Sequence, residues 1–439
     1  MDRIAGSPYV EVVFDKDGNA AADAGPALAA ALATPGITDL AVLSHGWKFE
    51  GTGPRKFYDA LWPSIAANLP DAGKFVVVGV NWPSKRYSTI DSQTVRQAVG
   101  GGVQAAGGGA VLDDLTAGQL DEELQQAVAA LAPEPRKPED QARADALLTA
   151  AAAYAADQSA DAATALLVAI AALTGLADLA RDPDLAPEGK RLLDAIGNAD
   201  TTMRLYQKPP RVDGTGATGT TQGIGDVIGR IVAGPKAAVV RALEQLSFWE
   251  MKRRAGKIGQ GLAGFLAGAQ PPQAVKLHLV GHSFGARVVT SCAASLPAIP
   301  KVEFFSLTML QGAFSHSSLS ALRHGGFSGV PARPTGPISI THTHNDWACT
   351  FLYAIACRAA NDAVQGLGDA SDPFGAMGAN GAQFNPGEIV AVEVDGTAFA
   401  PKKKAVNNFR ADGYIQGADA HNDVTNATVG KLVAAAIRA

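Results

Sequence analysis

The chain is short of the residues that would mark several functional classes. Its three cysteines, Cys292, Cys349 and Cys357, are an odd set, and none stands at metal-ligand spacing from a histidine. A reduced compartment is expected, with no metal and no cofactor. Charged residues make up 18% of the chain and the net charge is -5, so the basic footprint of a nucleic-acid binder is missing. The two basic clusters, Lys252-Arg253-Arg254 and Lys402-Lys403-Lys404, are short, lack interleaved aromatics and read as solvated surface. No apolar run reaches the roughly 20 residues that span a bilayer. The longest weakly polar stretch, residues 162–177, is mostly alanine and reads as a buried helix. The first residues enter an alternating strand pattern with no apolar leader, so a cytoplasmic location is expected, with peripheral membrane contact at most.

What is present is a set of short, β-branched, largely apolar runs with helical stretches between them. Residues 9–14, 39–44, 75–80, 276–280, 304–310, 337–342 and 388–394 read as strands, and several are apolar throughout, the pattern of strands buried on both faces of a parallel sheet. Residues 25–34 and 57–69 show helical spacing. Strands alternating with helices predict an α/β fold with a mostly parallel sheet flanked by helices.

From residue 86 to about 240 the alternation stops. No strand pattern occurs there, alanine dominates, and Leu112, Leu115, Leu120, Leu124, Val128 and Leu131 recur mostly three or four apart. Further helices are read at 138–157, 161–181 and 187–206, punctuated by glycine-rich stretches at 100–109 and 214–223 and a proline-rich one at 133–138. The organisation predicted is a first core segment at 1–85, an alanine-rich helical insertion at 86–240 serving as lid, cap or packed structure, and a second core segment at 241–439.

The strand at 276–280 runs into Gly281-His282-Ser283-Phe284-Gly285, with a helix predicted after it. A strand, a sharp turn with a serine at its apex and a helix form a nucleophile elbow, in which glycines on either side admit a turn too tight for side chains. With 48 glycines in the chain the pentapeptide alone is weak, and its flanks give it weight. His282 reads as support for the turn.

Upstream, the strand at 39–44 passes into His45-Gly46-Trp47, where Gly46 can bring the backbone close to a bound carbonyl. The backbone NH groups of Trp47 and Phe284 are candidates for an oxyanion hole. A serine hydroxyl needs a base, and the base an orienting carboxylate, in the chain order Ser, Asp or Glu, His for this elbow. The strand after the elbow exits without a carboxylate. The next one exits into Thr343-His344-Asn345-Asp346, and beyond Asp346 His421 is the one histidine in the chain, ahead of a terminal helix that Asp423 or Thr425 is read to cap. His316, and His342 with His344, have metal-ligand types but no carboxylates at suitable spacing. The glycine-rich stretch 374–384 lacks the Gly-Lys-Ser/Thr of a phosphate loop and reads as a flexible loop near the site.

These residues resemble the α/β-hydrolase superfamily over about 38–84 and 245–439. The phrases SHGW, GVNWPSKR, GHSFGARVV, THTHNDWA and GAMGANGAQ resemble an uncharacterised bacterial subgroup with a large helical insertion before the elbow. The resemblance implies Ser283 as nucleophile, Asp346 as acid, His421 as base, and Trp47 with Phe284 as oxyanion hole. The expected activity is that of a serine hydrolase, esterase or lipase-like, on a small or lipid-like carboxylic ester. The alternative is a non-catalytic binding or scaffold protein that uses the helical insertion as its interaction surface.

Overall fold

The computed structural model describes residues 2–47, 53–84, 138–174, 196–206, 235–346, 348–352, 375–384, 389–392, 399–417 and 419–439. The spacing at 112–131, the glycine stretches at 100–109 and 214–223, the prolines at 133–137 and Cys357 lie outside them. Among the described residues nine strands form one sheet: β1 (Arg3–Ile4), β2 (Ser7–Val13), β3 (Asp39–Ser44), β4 (Phe75–Asn81), β5 (Val275–His282), β6 (Val302–Leu310), β7 (Ile338–His342), β8 (Ile389–Val392) and β9 (Val406–Arg410), in the order β1-β2-β4-β3-β5-β6-β7-β9-β8. Only β1 runs antiparallel, against β2. The protein is α/β with a mostly parallel sheet.

The described helices are α1 (Ala24–Leu32), α2 (Gly53–Ala66), α3 (Pro138–Asp157), α4 (Ala160–Thr174), α5 (Ala199–Tyr206), α6 (Pro235–Ala267), α7 (Phe284–Ser295), α8 (Met377–Asn380) and α9 (Ala427–Arg438). Among the described residues no helix is long and apolar enough to cross a membrane. The chain falls into two compact units, one of Met1–Lys85, Met251–Ala354 and Gly368–Ala439, the other of Arg86–Glu250 and Ile355–Leu367. One continuous helix, α6, runs through the boundary read at 240.

In the sheet unit, α2 and α9 pack together over one face. Phe57, Tyr58, Leu61, Trp62 and Ile65 of α2 and Val429, Leu432, Val433 and Ile437 of α9 share a core with Ala41 and Leu43 of β3 and with Phe75 and Val77 of β4. The residues between these, Leu40, Val42, Val76 and Val78, are also buried. They face the opposite layer because side chains alternate along a strand, and there α7 packs on β5 and β6 and α1 on β2. Burial of both faces is why these strands read as continuous apolar runs. In the other unit α3 packs on α4 and α4 on α5, through Leu147, Ala151 and Tyr154, Leu166, Leu167 and Ile170, and Met203.

Two features of the sheet depend on buried polar side chains. His278 of β5 lies at a register shift where it pairs with Ser306 while Leu277 pairs with Phe304, leaving Phe305 as the extra residue of a bulge. Its Nε2–H donates to the Asp39 carboxylate at 3.0 Å and its Nδ1 accepts from the Ser306 hydroxyl at 2.8 Å, which ties β3, β5 and β6 together. The second feature is β9, which the sequence reading missed and which lies between β7 and β8. Asn407 is fully buried there, donating to the carbonyls of Ile338, Lys402 and Ala405 and accepting the Lys402 N–H at 2.8 Å. Asn408 accepts from Ala382 N–H and donates to Ala382 O, both at 2.9 Å.

These bonds predict a stability effect. Asn407→Val removes the side-chain bonds to the Ile338, Lys402 and Ala405 carbonyls and to the Lys402 N–H and is expected to cost about 1–3 kcal/mol. A urea unfolding midpoint indistinguishable from wild type, at unchanged slope, would show that the Asn407 network does not hold β9.

Candidate active site

β5 is the central strand, and its last residue, His282, leads into Ser283 with φ 58 and ψ -124. A non-glycine residue there costs on the order of 1–3 kcal/mol and persists only where its surroundings over-determine it. The surroundings are visible. A Cβ on Gly281 would lie 2.2 Å from Gly285 O, and one on Gly285 would lie 2.3 Å from Ser44 O, so neither position admits a side chain. The Ser283 N–H donates to Leu310 O at 3.0 Å and Ser283 O accepts the Ala286 and Ala313 N–H groups, which anchors the apex to the end of β6.

Parallel strands put all their carboxyl ends on one edge, and the other polar groups arrive there from different strands. Asp346 lies in the turn after β7 and is fully buried. His421 lies in the short turn Ala420–Asn422, and β9 brings the chain back to this edge just ahead of it, leaving residues 411–420 as the connection. His421 Nε2 is 2.8 Å from Ser283 Oγ and His421 Nδ1 is 2.8 Å from Asp346 Oδ2. The first contact leaves Nε2 able to accept the hydroxyl proton, because the carboxylate fixes the ring proton on Nδ1. The His421 side chain is 19% exposed and Asp346 is not exposed at all. Burial alone would raise the Asp346 carboxyl, but His421, the Cys349 N–H at 2.9 Å and the Gln311 amide at 2.9 Å outweigh it and hold the group below its ordinary value.

His282 is buried, and its Nε2–H donates to the His421 carbonyl at 2.7 Å. Burial, with His421 close by, pushes it down to about 3, so it stays neutral, with an Nδ1 that has no hydrogen-bond partner. A Cβ on Gly46 would lie 3.2 Å from that Nδ1 and 2.6 Å from Ser283 Cβ. Gly46 therefore brings the segment after β3 against Ser283. His45 Nδ1–H donates to Gly46 O at 2.8 Å and His45 Nε2 accepts the Trp82 N–H at 3.4 Å, a pattern only the neutral ring can make. Burial pushes His45 down to about 4. The Tyr58 hydroxyl accepts the His45 N–H at 3.0 Å and donates to Val80 O. The rings of Trp47 and Phe284 meet edge to face at 5.6 Å beside Ser283.

The structure thus brings Ser283, Asp346 and His421 into one hydrogen-bonded chain and places His45, Gly46, Trp47, Gly281, His282, Phe284 and Gly285 around it. It also corrects the local reading in two places. Residues 376–382, read within a flexible loop, are buried and include α8. The terminal helix is capped by Asn426, whose Oδ1 accepts the Thr428 and Val429 N–H groups, in place of Asp423 or Thr425. Sequence reasoning missed Gln311, Cys349, Tyr58 and Trp82. Gln311 stands at the strand exit that carries no carboxylate, and nothing in the sequence marks its amide.

Among the described residues the one grouping of metal-ligand types is Asp346, Cys349 and His421. Its Asp–His separation of 2.8 Å is a hydrogen bond, shorter than the ~3.4 Å between two donors about 2.1 Å from one tetrahedral zinc. The Cys349 thiol is held well above its ordinary value by burial and by Asp346. Compared with known proteins, the chain matches no family model, no curated protein and no solved structure.

The buried neutral histidines predict acid lability. As pH falls below the ordinary histidine value of 6.5, the unfolded chain takes up protons at these positions that folded His45 and His282 refuse until about 4 and about 3. Stability is therefore fully present above that window and lost as pH falls through it. Each tenfold difference in proton affinity between the unfolded and folded chain is worth about 1.4 kcal/mol before any relaxation. Asp346 adds a loss of the same sign at lower pH. Thermal unfolding by circular dichroism is expected to show Tm dropping from about pH 6.5 to about pH 4; a flat Tm over that range contradicts the assignment.

Proposed function

We propose that the protein is a serine hydrolase of the α/β-hydrolase type acting on an acyl substrate, a carboxylic ester by default. The observation that carries the reading is the unbroken chain Ser283 Oγ, His421, Asp346, each contact 2.8 Å, built on a serine at positive φ. The elbow on the central strand, the acid after β7 and the base ahead of the last helix fit that arrangement, with Arg86–Glu250 as an insertion between β4 and β5.

In this reading Ser283 Oγ attacks the substrate carbonyl carbon while its proton passes to His421 Nε2. Asp346 stays ionised and stabilises the imidazolium through Nδ1–H. The carbonyl oxygen becomes an oxyanion, assigned to the backbone NH groups of Trp47 and Phe284. Phe284 is the first residue of α7, at the positive end of its dipole, and Gly46 sets the Trp47 segment against Ser283. Collapse breaks the bond to the leaving oxygen, which takes the proton from His421. Water, deprotonated by His421, then cleaves the acyl-enzyme and releases the acid with free Ser283.

A fluorophosphonate probe on the purified protein and a series of p-nitrophenyl esters test this. Wild type is expected to label and to hydrolyse esters. Ser283→Ala is expected to lose labelling and at least on the order of 10³-fold in kcat, and Asp346→Asn roughly 10⁴-fold through the wrong imidazole tautomer. Unlabelled wild type, or equal labelling of Ser283→Ala, overturns the reading in favour of a non-catalytic scaffold.

A further inference from the structure

We propose that Gln311 is a positioning residue that clamps the Asp346 carboxylate, fixing its orientation toward His421 and moderating how strongly it supports the imidazole; the proposal rests on the hydrolase reading. Gln311 is the first residue beyond β6 and is fully buried. Its Nε2 donates both hydrogens, one to Asp346 Oδ2 at 2.9 Å and one to Gly378 O at 3.1 Å. Asp346 Oδ2 is the same oxygen that receives His421 Nδ1–H, while Oδ1 receives the Cys349 N–H. The carboxylate is therefore held at three points, and Gln311 is the side chain that makes one oxygen answer to two donors.

Two local penalties coincide at Gln311. Its backbone has φ 46, a left-handed conformation unusual for a non-glycine residue, and its amide oxygen is buried without a hydrogen-bond partner. Strain and an unsatisfied polar atom at one residue persist only where the surroundings over-determine them, and they mark sites where geometry serves function. The supports are present. The Gln311 N–H donates to Thr341 Oγ1 at 3.1 Å. Gly378 donates its N–H to Gly312 O and accepts the Thr343 N–H, and a Cβ there would lie 2.6 Å from the Gln311 carbonyl carbon and 2.7 Å from Cys349 Sγ. The turn at Met377–Asn380 thus packs tightly against both Gln311 and Cys349.

A second donor on Oδ2 draws negative charge away from the His421 hydrogen bond. Removing it makes Asp346 a stronger partner for protonated His421 and a looser one in orientation. Among the described residues the titratable groups facing this pair are His282 from the elbow and the Cys349 thiol from the turn after Asp346. Both are neutral, so a shift seen in a Gln311 variant is not theirs.

The test uses the full chain with a fluorophosphonate and p-nitrophenyl butyrate. Wild-type labelling establishes the hydrolase reading first, and its absence overturns both reading and proposal. Gln311→Met, of similar volume, is expected to keep Ser283 labelling, to lower kcat about 10-fold or more with KM nearly unchanged, and to move the acid limb of kcat/KM to higher pH. Gln311→Glu sets a second carboxyl against Asp346; the two cannot both ionise, so a further ionisation is expected in the profile. Unchanged kcat, or a lower kcat with an unshifted profile, overturns the proposal while leaving the hydrolase reading in place. Should the variants not fold, wild-type NMR decides. The Gln311 side-chain amide resonances are expected to move together with the low-field His421 Nδ1 proton as pH is lowered, and amide resonances that stay fixed while that proton moves overturn the proposal.

Discussion

The close approach of backbone to backbone at the end of the central strand is the constraint on which the rest of the site depends. Gly285 touches the carbonyls of Ser44 and His45, Gly281 touches Gly285, and Gly46 touches the side chain of Ser283. None of these contacts leaves space for a methyl group, so β3, β5 and the start of α7 are locked at one separation. That separation puts Ser283 into its positive-φ conformation, and two hydrogen bonds to the end of β6 keep it there. The energy that holds the strained apex comes from the buried parallel strands on either side, whose apolar runs are covered on both faces.

Two Ser-His-Asp arrays occur among the described residues, and the contrast between them shows what the elbow adds. Ser306, His278 and Asp39 are linked by bonds of 2.8 and 3.0 Å, nearly the same lengths as in the set at Ser283. That array lies within the sheet, with Ser306 and His278 both buried and the hydroxyl spent as a donor between neighbouring strands. Its work is to seat a β-bulge. At Ser283 the same three residue types meet at the carboxyl edge of the strands, and the histidine keeps partial exposure. Residue identity is thus common to both arrays, and the backbone beneath the serine separates them.

Much of the sheet was legible because burial on two faces leaves a plain signature in the strands: 39–44 matches β3 in full, and the other predicted runs fall within a few residues of β2 and β4 to β8. The antiparallel β1 is two residues long and carries no pattern. β9 was illegible because its centre is Asn407 and Asn408, residues disfavoured in strands, which stay there through specific hydrogen bonds to Ile338, Lys402 and Ala382. Seeing β9 matters for the site, because it brings the chain to the sheet edge just ahead of His421. Ser283, Asp346 and His421 were readable from chain order and strand exits. Gln311 was not, since an amide that serves a carboxylate shows its purpose only when both are placed in space. The helix α6 crosses the boundary read at 240 because helical spacing on either side of a unit boundary looks the same in sequence.

The histidines at this edge show how burial divides one residue type among different tasks. His45 and His282 are enclosed, neutral, and bonded to backbone: one holds the Gly46 carbonyl and the Trp82 N–H, the other the His421 carbonyl. Each would lose its pattern on protonation, since a second ring N–H would face a donor at His45 and a cramped, partnerless space at His282. His421 differs in having a carboxylate on one nitrogen and a hydroxyl on the other, with partial access to solvent. A proton arriving there is matched by Asp346, whereas a proton at the other two is opposed by desolvation. The same edge therefore resists protonation where the backbone must stay fixed, and sets a carboxylate against the ring where the proposed reaction requires a proton to move. The Gln311 amide bears on that pairing, because it shares with His421 the carboxylate oxygen that the ring donates to.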